Sequence, residues 1–200
     1  MIERKDLKDV EKAVFIIDMN IGFCEDGNLA DPSIKHIVPN IIIVTDQILE
    51  EGEAVYIVND KHSKLSVELK RYLEHCMGNN ESKTIKELAI YEKEANKVFY
   101  KNSTCALFAP GVIDTLLEMV NLKQVIIVGC CTDICIQNFA IALRNFFDEL
   151  NIDVEIIVPK DCVETYHIPS IHDRKENNER AYKVMENTGI KLVKTMKGGR

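Results

Sequence analysis

Tryptophan is absent from this 200-residue chain. Also absent is any apolar run near the roughly 20 residues that a membrane-spanning helix needs, so no membrane association is expected. A basic surface is missing too: the formal net charge is −7, and no stripe of lysine and arginine interleaves with aromatics. Nucleic-acid binding is therefore not expected. The basic C-terminal stretch "VKTMKGGR" reads as a frayed tail. The opening "MIERKDLKDVEK" is charged and lacks the apolar core of a signal peptide. No internal repeat, low-complexity segment or linker interrupts the chain, so a single domain over 1–200 is expected.

What the chain does have is a 46% hydrophobic fraction, enough for a full core, and seven cysteines. The number is odd and the expected location is cytoplasmic, where thiols stay reduced. Each cysteine is then either a small buried apolar residue or a reactive group.

Strand-length apolar runs recur at 13–18, 54–60, 97–101, 125–129, 154–159 and 190–194. They are rich in β-branched residues and several are apolar almost throughout, as strands buried on both faces of a parallel sheet are. Helical spacing separates them. One helix ends at Gly52 with Pro39 near its start, and a short one covers 109–121. A longer one covers 133–150 with Ile136, Phe139, Leu143 and Phe146 on one stripe, and a last one ends at Gly189. The alternation predicts an α/β doubly wound sheet of about six strands. The least regular stretch, 61–96, is long enough to carry functional loops.

In such a sheet, ligands bind beyond the carboxyl ends of the strands. The first strand ends at Asp18, the second at Asp60 with His62 just after it, and the third at Lys101. The fourth opens into "GCCTDIC", with Cys130, Cys131 and Cys135. Thr132 and Asp133 are good helix-start residues, which would put Cys135 in the first helical turn. The positive end of the helix and a nearby cation would lower its thiol pKa toward neutrality. Cys130 and Cys162 read as packing. A thiolate attacking an amide needs a proton carrier, and Asp18 is the candidate, with Lys101 steadying the charges. Backbone N–H groups of the 131–135 turn are candidates for an oxyanion hole. His167 and His172 follow the fifth strand at the same edge, either at the pocket mouth, at a subunit contact or as structure.

The stretches "FIIDMNIGFCEDGNLAD", "NDKH", "YLEHCMG", "VFYKNS" and "GCCTDICIQNFAIAL" together resemble the isochorismatase-like cysteine hydrolases, and within them the nicotinamidases. The likeness covers roughly residues 13–165. It implies a three-layer, Rossmann-like parallel β-sheet flanked by helices and a triad of Asp18, Lys101 and Cys135. It also implies a cis peptide joining Cys131 to Thr132, which aims the Cys131 and Cys135 amides at the oxyanion. The resemblance further implies a metal held by Asp60, His62 and His75, and Glu68 in the same loop is the choice for a fourth ligand. Carboxylate with imidazole suits zinc, with iron or manganese as alternatives. Phe23 and Tyr72 match the aromatics that sandwich the substrate ring. The family often forms oligomers, so a homo-oligomer is expected. Three features depart from the nicotinamidase pattern: Asn20 in place of the usual glutamine, "IGF" after it, and Tyr72 where tryptophan is common.

These residues allow three activities. The first is hydrolysis of nicotinamide to nicotinate and ammonia through a thioester on Cys135. The second is hydrolysis of another small amide, carbamoyl compound or vinyl ether. The third is thiol–disulfide exchange between Cys131 and Cys135, though their spacing exceeds that of a usual redox motif. A pure binding protein would leave the meeting of Asp18, Lys101 and Cys135 at one edge unexplained.

Overall fold

The structure, a computed structural model, describes residues 5–196. Residues 197–200 of the basic tail lie outside the described residues. In chain order the elements are β1 (Lys12–Ile17), α1 (Ile21–Cys24), α2 (Val38–Glu50), β2 (Ala54–Asp60), α3 (Tyr91–Glu94), β3 (Lys97–Lys101) and α4 (Val112–Glu118). They continue as β4 (Gln124–Cys130), α5 (Gln137–Leu150), β5 (Glu155–Pro159), β6 (Val163–Glu164), α6 (Arg174–Asn187) and β7 (Lys191–Val193). The strands form one parallel sheet in the order β3-β2-β1-β4-β5-β7. A seventh strand, β6, pairs with β4. It has only two residues, too few to produce the periodic signal that marks the six expected strands.

The apolar runs form strands because both of their faces are covered. Along β1, Ala13, Phe15 and Ile17 join one cluster with Phe139, Leu143 and Ala181, from the side of α5 and α6. Val14 and Ile16 join the opposite cluster with Ile41, Val44 and Ile48 of α2. Helix α2 has no side-chain cap at its start. A missing cap costs about 1 kcal/mol, whereas each buried Ile or Val contributes about 1.5–3 kcal/mol, so packing decides. Pro39 sits in the first turn of α2, and Gly52 takes φ +72° just beyond its end, both as expected. The stripe of α5 is Ile136, Phe139, Leu143 and Phe147, with Phe146 only at its margin. At 3.6 residues per turn, Phe147 lies about 20° from Ile136 and Phe146 about 80° away, which corrects the expected fourth member.

Among the described residues, no helix is long and apolar enough to cross a membrane. Gly129, next to last in β4, holds the centre of the sheet closed. It takes φ +116°, and a Cβ there would lie 2.0 Å from the carbonyl oxygen of Ile17 in β1. That neighbour is backbone and cannot turn aside. We expect Gly129→Ala to destabilise the protein by about 3 kcal/mol or more, read as a large drop in thermal unfolding temperature or as insoluble expression.

Candidate active site

From β1 the chain winds toward β3 in one direction, and from β4 toward β7 in the other. The carboxyl ends of β1 and β4 therefore flank the topological switch point, where a parallel sheet opens a crevice. Asp18 follows β1 in a left-handed conformation, φ +53°, and is fully buried. Its N–H donates to Val58 O at 2.8 Å. Lys101 ends β3 opposite Asp60 in β2, and its side chain reaches past that strand to β1. Its Nζ lies 2.9 Å from Asp18 Oδ2 and 3.2 Å from Asp60 Oδ1. The same ammonium donates to Cys135 Sγ at 3.6 Å. The three residues that the sequence singles out thus meet at one buried ammonium.

Burial penalises the Lys101 charge, but Asp18, Cys135 and Asp60 outweigh it and hold the ammonium well above its ordinary pKa. For Asp18 burial dominates. It pushes the carboxyl up to about 6 even though Lys101 pulls it down, and Asp60 adds to the rise. Asp60 keeps its charge: burial works against it, but Lys101, His62 and His75 hold it well below the carboxylate range.

Cys135 corrects an expectation. Burial pushes its thiol well above the ordinary value, Lys101 pulls against that, and Asp18 and Asp60 push the same way as burial. Cys135 does stand in the opening turn of the helix, as expected, but that position does not offset the burial. Residues Thr132–Ile136 form a wide π turn ahead of α5, and no side chain caps it. Cys135 is 5% exposed, so little water compensates. The resting group is a neutral thiol beside a carboxylate that can take its proton.

The cis peptide also falls elsewhere: it joins Cys130 to Cys131, not Cys131 to Thr132. The cis bond thus follows the last residue of β4, Cys130, directly. Cys130 is buried with Sγ 3.1 Å from Asp18 O, a packing role as expected. Cys162 is buried as well. All seven cysteines are free.

Beside the triad, Asp60, His62, Glu68 and His75 are all buried, and their ligating atoms lie within 4.8 Å of one another. His62 Nε2 and His75 Nε2 lie 2.9 and 3.2 Å from Asp60 Oδ2, and 3.9 and 4.0 Å from Glu68 Oε1. The far side of each ring is held. His75 Nδ1 meets Leu73 O at 2.7 Å, and His62 Nδ1 meets Asn102 Oδ1 at 2.8 Å and Ser66 Oγ at 3.1 Å. A carbonyl accepting from Nδ1–H leaves the Nε2 lone pair free for a metal. Two oriented imidazoles and two carboxylates converging in a buried space fit a divalent metal of the zinc, iron or manganese kind.

A cavity joins this cluster to the Cys135 thiol, lined by Phe23, Tyr72, His75, Cys131, Ile134 and Cys135 among others. Phe23 and Tyr72 both lie against His75, with ring centroids 5.5 and 6.2 Å away. Sequence reasoning missed Tyr166, which also lines the cavity. It follows β6 at the same sheet edge, and that strand is too short to be recognised. Asn102, which orients His62, was missed too, although it directly follows Lys101. His172 is half-buried near the pocket, with Nε2 2.8 Å from Asp133 Oδ2. His167 is exposed and does not line the cavity. Asp133 does not cap the turn, because its oxygens serve Thr165 and His172 instead.

This is the layout of a hydrolase built on a parallel sheet, with the Cys135 thiol at the switch point. The chain belongs to the isochorismatase family, whose domain model, "Isochorismatase domain", matches residues 12–196. A relative from Bacillus subtilis (strain 168), described as an uncharacterized isochorismatase family protein PncA, is 25% identical over 169 residues, covering 79% of this chain and 88% of that protein. The pyrazinamidase/nicotinamidase of Streptococcus mutans UA159 superposes with a TM-score of 0.76 at 23% identity, covering 92% of this chain and 100% of that one. N-carbamoylsarcosine amidase from Thermoplasma acidophilum gives 0.70 at 22% identity, covering 94% and 100%. The pyrazinamidase of Pyrococcus horikoshii, in complex with zinc, gives 0.68 at 21% identity, covering 92% and 98%. At these identities the structural likeness is one of fold.

Two outcomes are expected. Because the Cys135 thiol is held above its ordinary value, iodoacetamide should alkylate it slowly in the metal-free protein at pH 7. The rate should rise only beyond the pKa of about 8.5 of a free cysteine. Mass spectrometry of the 132–136 peptide reads this, and fast labelling at pH 7 would contradict the resting thiol. Second, His75→Ala should abolish stoichiometric metal by elemental analysis. Asn102→Ala, which frees one side of His62, should weaken metal affinity about 10–100-fold.

Proposed function

We propose that the protein is a cysteine amidohydrolase whose substrate is nicotinamide or a closely similar planar amide. The observation that carries this reading is the contact of one buried ammonium with both Asp18 and Cys135, the latter lining an aromatic-bearing cavity. The names of the Streptococcus mutans and Pyrococcus horikoshii neighbours support the choice of substrate.

In this reading the substrate carbonyl lies over Cys135 Sγ. Asp18, raised to about 6, has the basicity to take the thiol proton near neutral pH and to give it back. As the S–C bond forms, the carbonyl electrons move to oxygen, and the Cys131 and Cys135 amides are the candidate donors to that oxyanion. Asp18 passes its proton to the amide nitrogen, the C–N bond breaks, ammonia leaves and a thioester remains. Water then loses a proton to Asp18 and attacks the thioester. The C–S bond breaks, the carboxylic acid leaves and the proton returns to the thiol. Lys101 stays charged throughout and offsets whichever of Asp18 and Cys135 is anionic. Asp60, His62, Glu68 and His75 would hold a divalent metal, probed first as zinc, which supplies a Lewis-acid contact that orients a substrate ring nitrogen.

A second reading, hydrolysis of another small amide or a carbamoyl compound, is favoured by Tyr72 and Asn20, which depart from the nicotinamidase pattern. The fold likeness to N-carbamoylsarcosine amidase is consistent with it. Ammonia release from a panel of small amides and carbamoyl compounds, with and without zinc, iron or manganese, separates the two. Cys135→Ala and Cys135→Ser should each lower kcat by about 10³-fold or more while the fold survives. Full ammonia release by the alanine variant would end the mechanism.

A further inference from the structure

Residues 165–173 connect β6 to α6. Most of this segment is exposed, including Ile168 and Ile171, yet Tyr166 within it is half-buried and lines the cavity. Tyr166 packs against the cluster that holds Cys131 and Cys162, and His172 stacks on its ring with centroids 3.9 Å apart and planes 17° from parallel. His172 is itself gripped from both ends. Its Nε2 lies 2.8 Å from Asp133 Oδ2, and its Nδ1 lies 3.0 Å from the carbonyl oxygen of Tyr166. The other oxygen of Asp133 accepts from Thr165 Oγ1 at 2.6 Å. Asp133 belongs to the turn that carries Cys131 and Cys135, so the segment bearing Tyr166 is tied to the same short stretch that carries the candidate nucleophile.

We propose that Tyr166 is a specificity-determining wall of the substrate cavity, and that Asp133 and His172 are positioning residues that fix it, so that flat ring-bearing amides are selected over open-chain ones. The proposal rests on the amidohydrolase reading for its reaction, but on the His172 stack and the Asp133 bonds for its geometry. One face of the Tyr166 ring is covered by His172, and the side chain lines the same cavity as Phe23, Leu29 and Tyr72. Burial, Cys131, Asp133 and Tyr72 together push the phenol up to about 12, so the wall stays neutral at any working pH and suits an uncharged ring. Arg174 strengthens the tether, donating from Nε to Thr165 O at 2.8 Å and from its guanidinium to Asp31 Oδ2 at 2.6 Å. A wall fixed before the substrate arrives spares the ordering of a side chain on binding.

Binding and turnover measured together test this. In the Cys135→Ala background, which stops turnover, calorimetry compares nicotinamide and benzamide with propionamide. Tyr166→Ala should weaken the ring compounds by about tenfold and propionamide by less than about twofold. The conservative Tyr166→Phe should restore ring binding. His172→Ala and Asp133→Asn should each weaken ring binding by about threefold to tenfold, and the pair together no more than either alone, because both act through one contact. With Cys135 present, the same changes should appear in KM while kcat moves by less than about threefold. Equal losses for ring and chain amides, full additivity of the pair, or a fall in kcat with KM unchanged would overturn the wall. If no amide releases ammonia but ring binding still depends on Tyr166, the amidohydrolase reading falls and the wall stands. If ammonia is released while ring and chain amides bind alike, the wall falls alone. If neither class of amide binds, both fall.

Discussion

A lysine ammonium that is 1% exposed must find its neutralising charge within the protein. Lys101 draws Asp18 from the end of β1, Asp60 from the end of β2 and the Cys135 thiol from the turn after β4. Breaking such a group by removing one partner typically costs about 3–5 kcal/mol, because the remaining charge is stranded. The arrangement is therefore held by what its disruption would leave behind as much as by attraction. It also sets the protonation pattern: a charged amine, a carboxyl lifted into the range of a useful base, and a thiol kept neutral at rest.

Asp60 gives this centre its second function. One oxygen meets Lys101 and the other faces His62 and His75. The ammonium and the carboxylate–imidazole cluster thus share a side chain, and the cavity lies across both. Charge placed in the cluster is felt at the triad through a single residue. The orientation of the imidazoles depends on groups of no evident catalytic character, Asn102, Ser66 and the carbonyl of Leu73.

Much of this was legible in the sequence because each piece is local. Apolar runs with β-branched residues mark buried strands, and the residue ending each run falls at the sheet's carboxyl edge. Asp18, Asp60, Lys101 and Cys135 could be placed there from position alone, the resemblance joined Asp60 to His62 and His75, and Glu68 was chosen from its place in the loop between them; the structure brings Asp60, His62, Glu68 and His75 together. The misses have physical causes. Strand β6 is shorter than one period of any pattern, so Tyr166 beyond it had no frame. The cis bond lies one residue before its expected place, directly after the last residue of β4. Asp133 looked like a helix cap because a capping side chain is recognised by its neighbours in sequence, yet its partners lie 32 and 39 residues away.

The thiol shows the boundary most clearly. Residue types and their order determined that a cysteine stands where β4 gives way to a helix, with an acid and an amine at neighbouring strand ends. Its state of protonation was not written there. That depends on how far water is excluded and on how many carboxylates share the same ammonium, and both follow from the packing of strands distant in the chain. Local order thus specified the chemical groups and the sheet that carries them. Only the tertiary structure decided their charges, because electrostatic energy depends on distance and burial, which no stretch of sequence contains by itself.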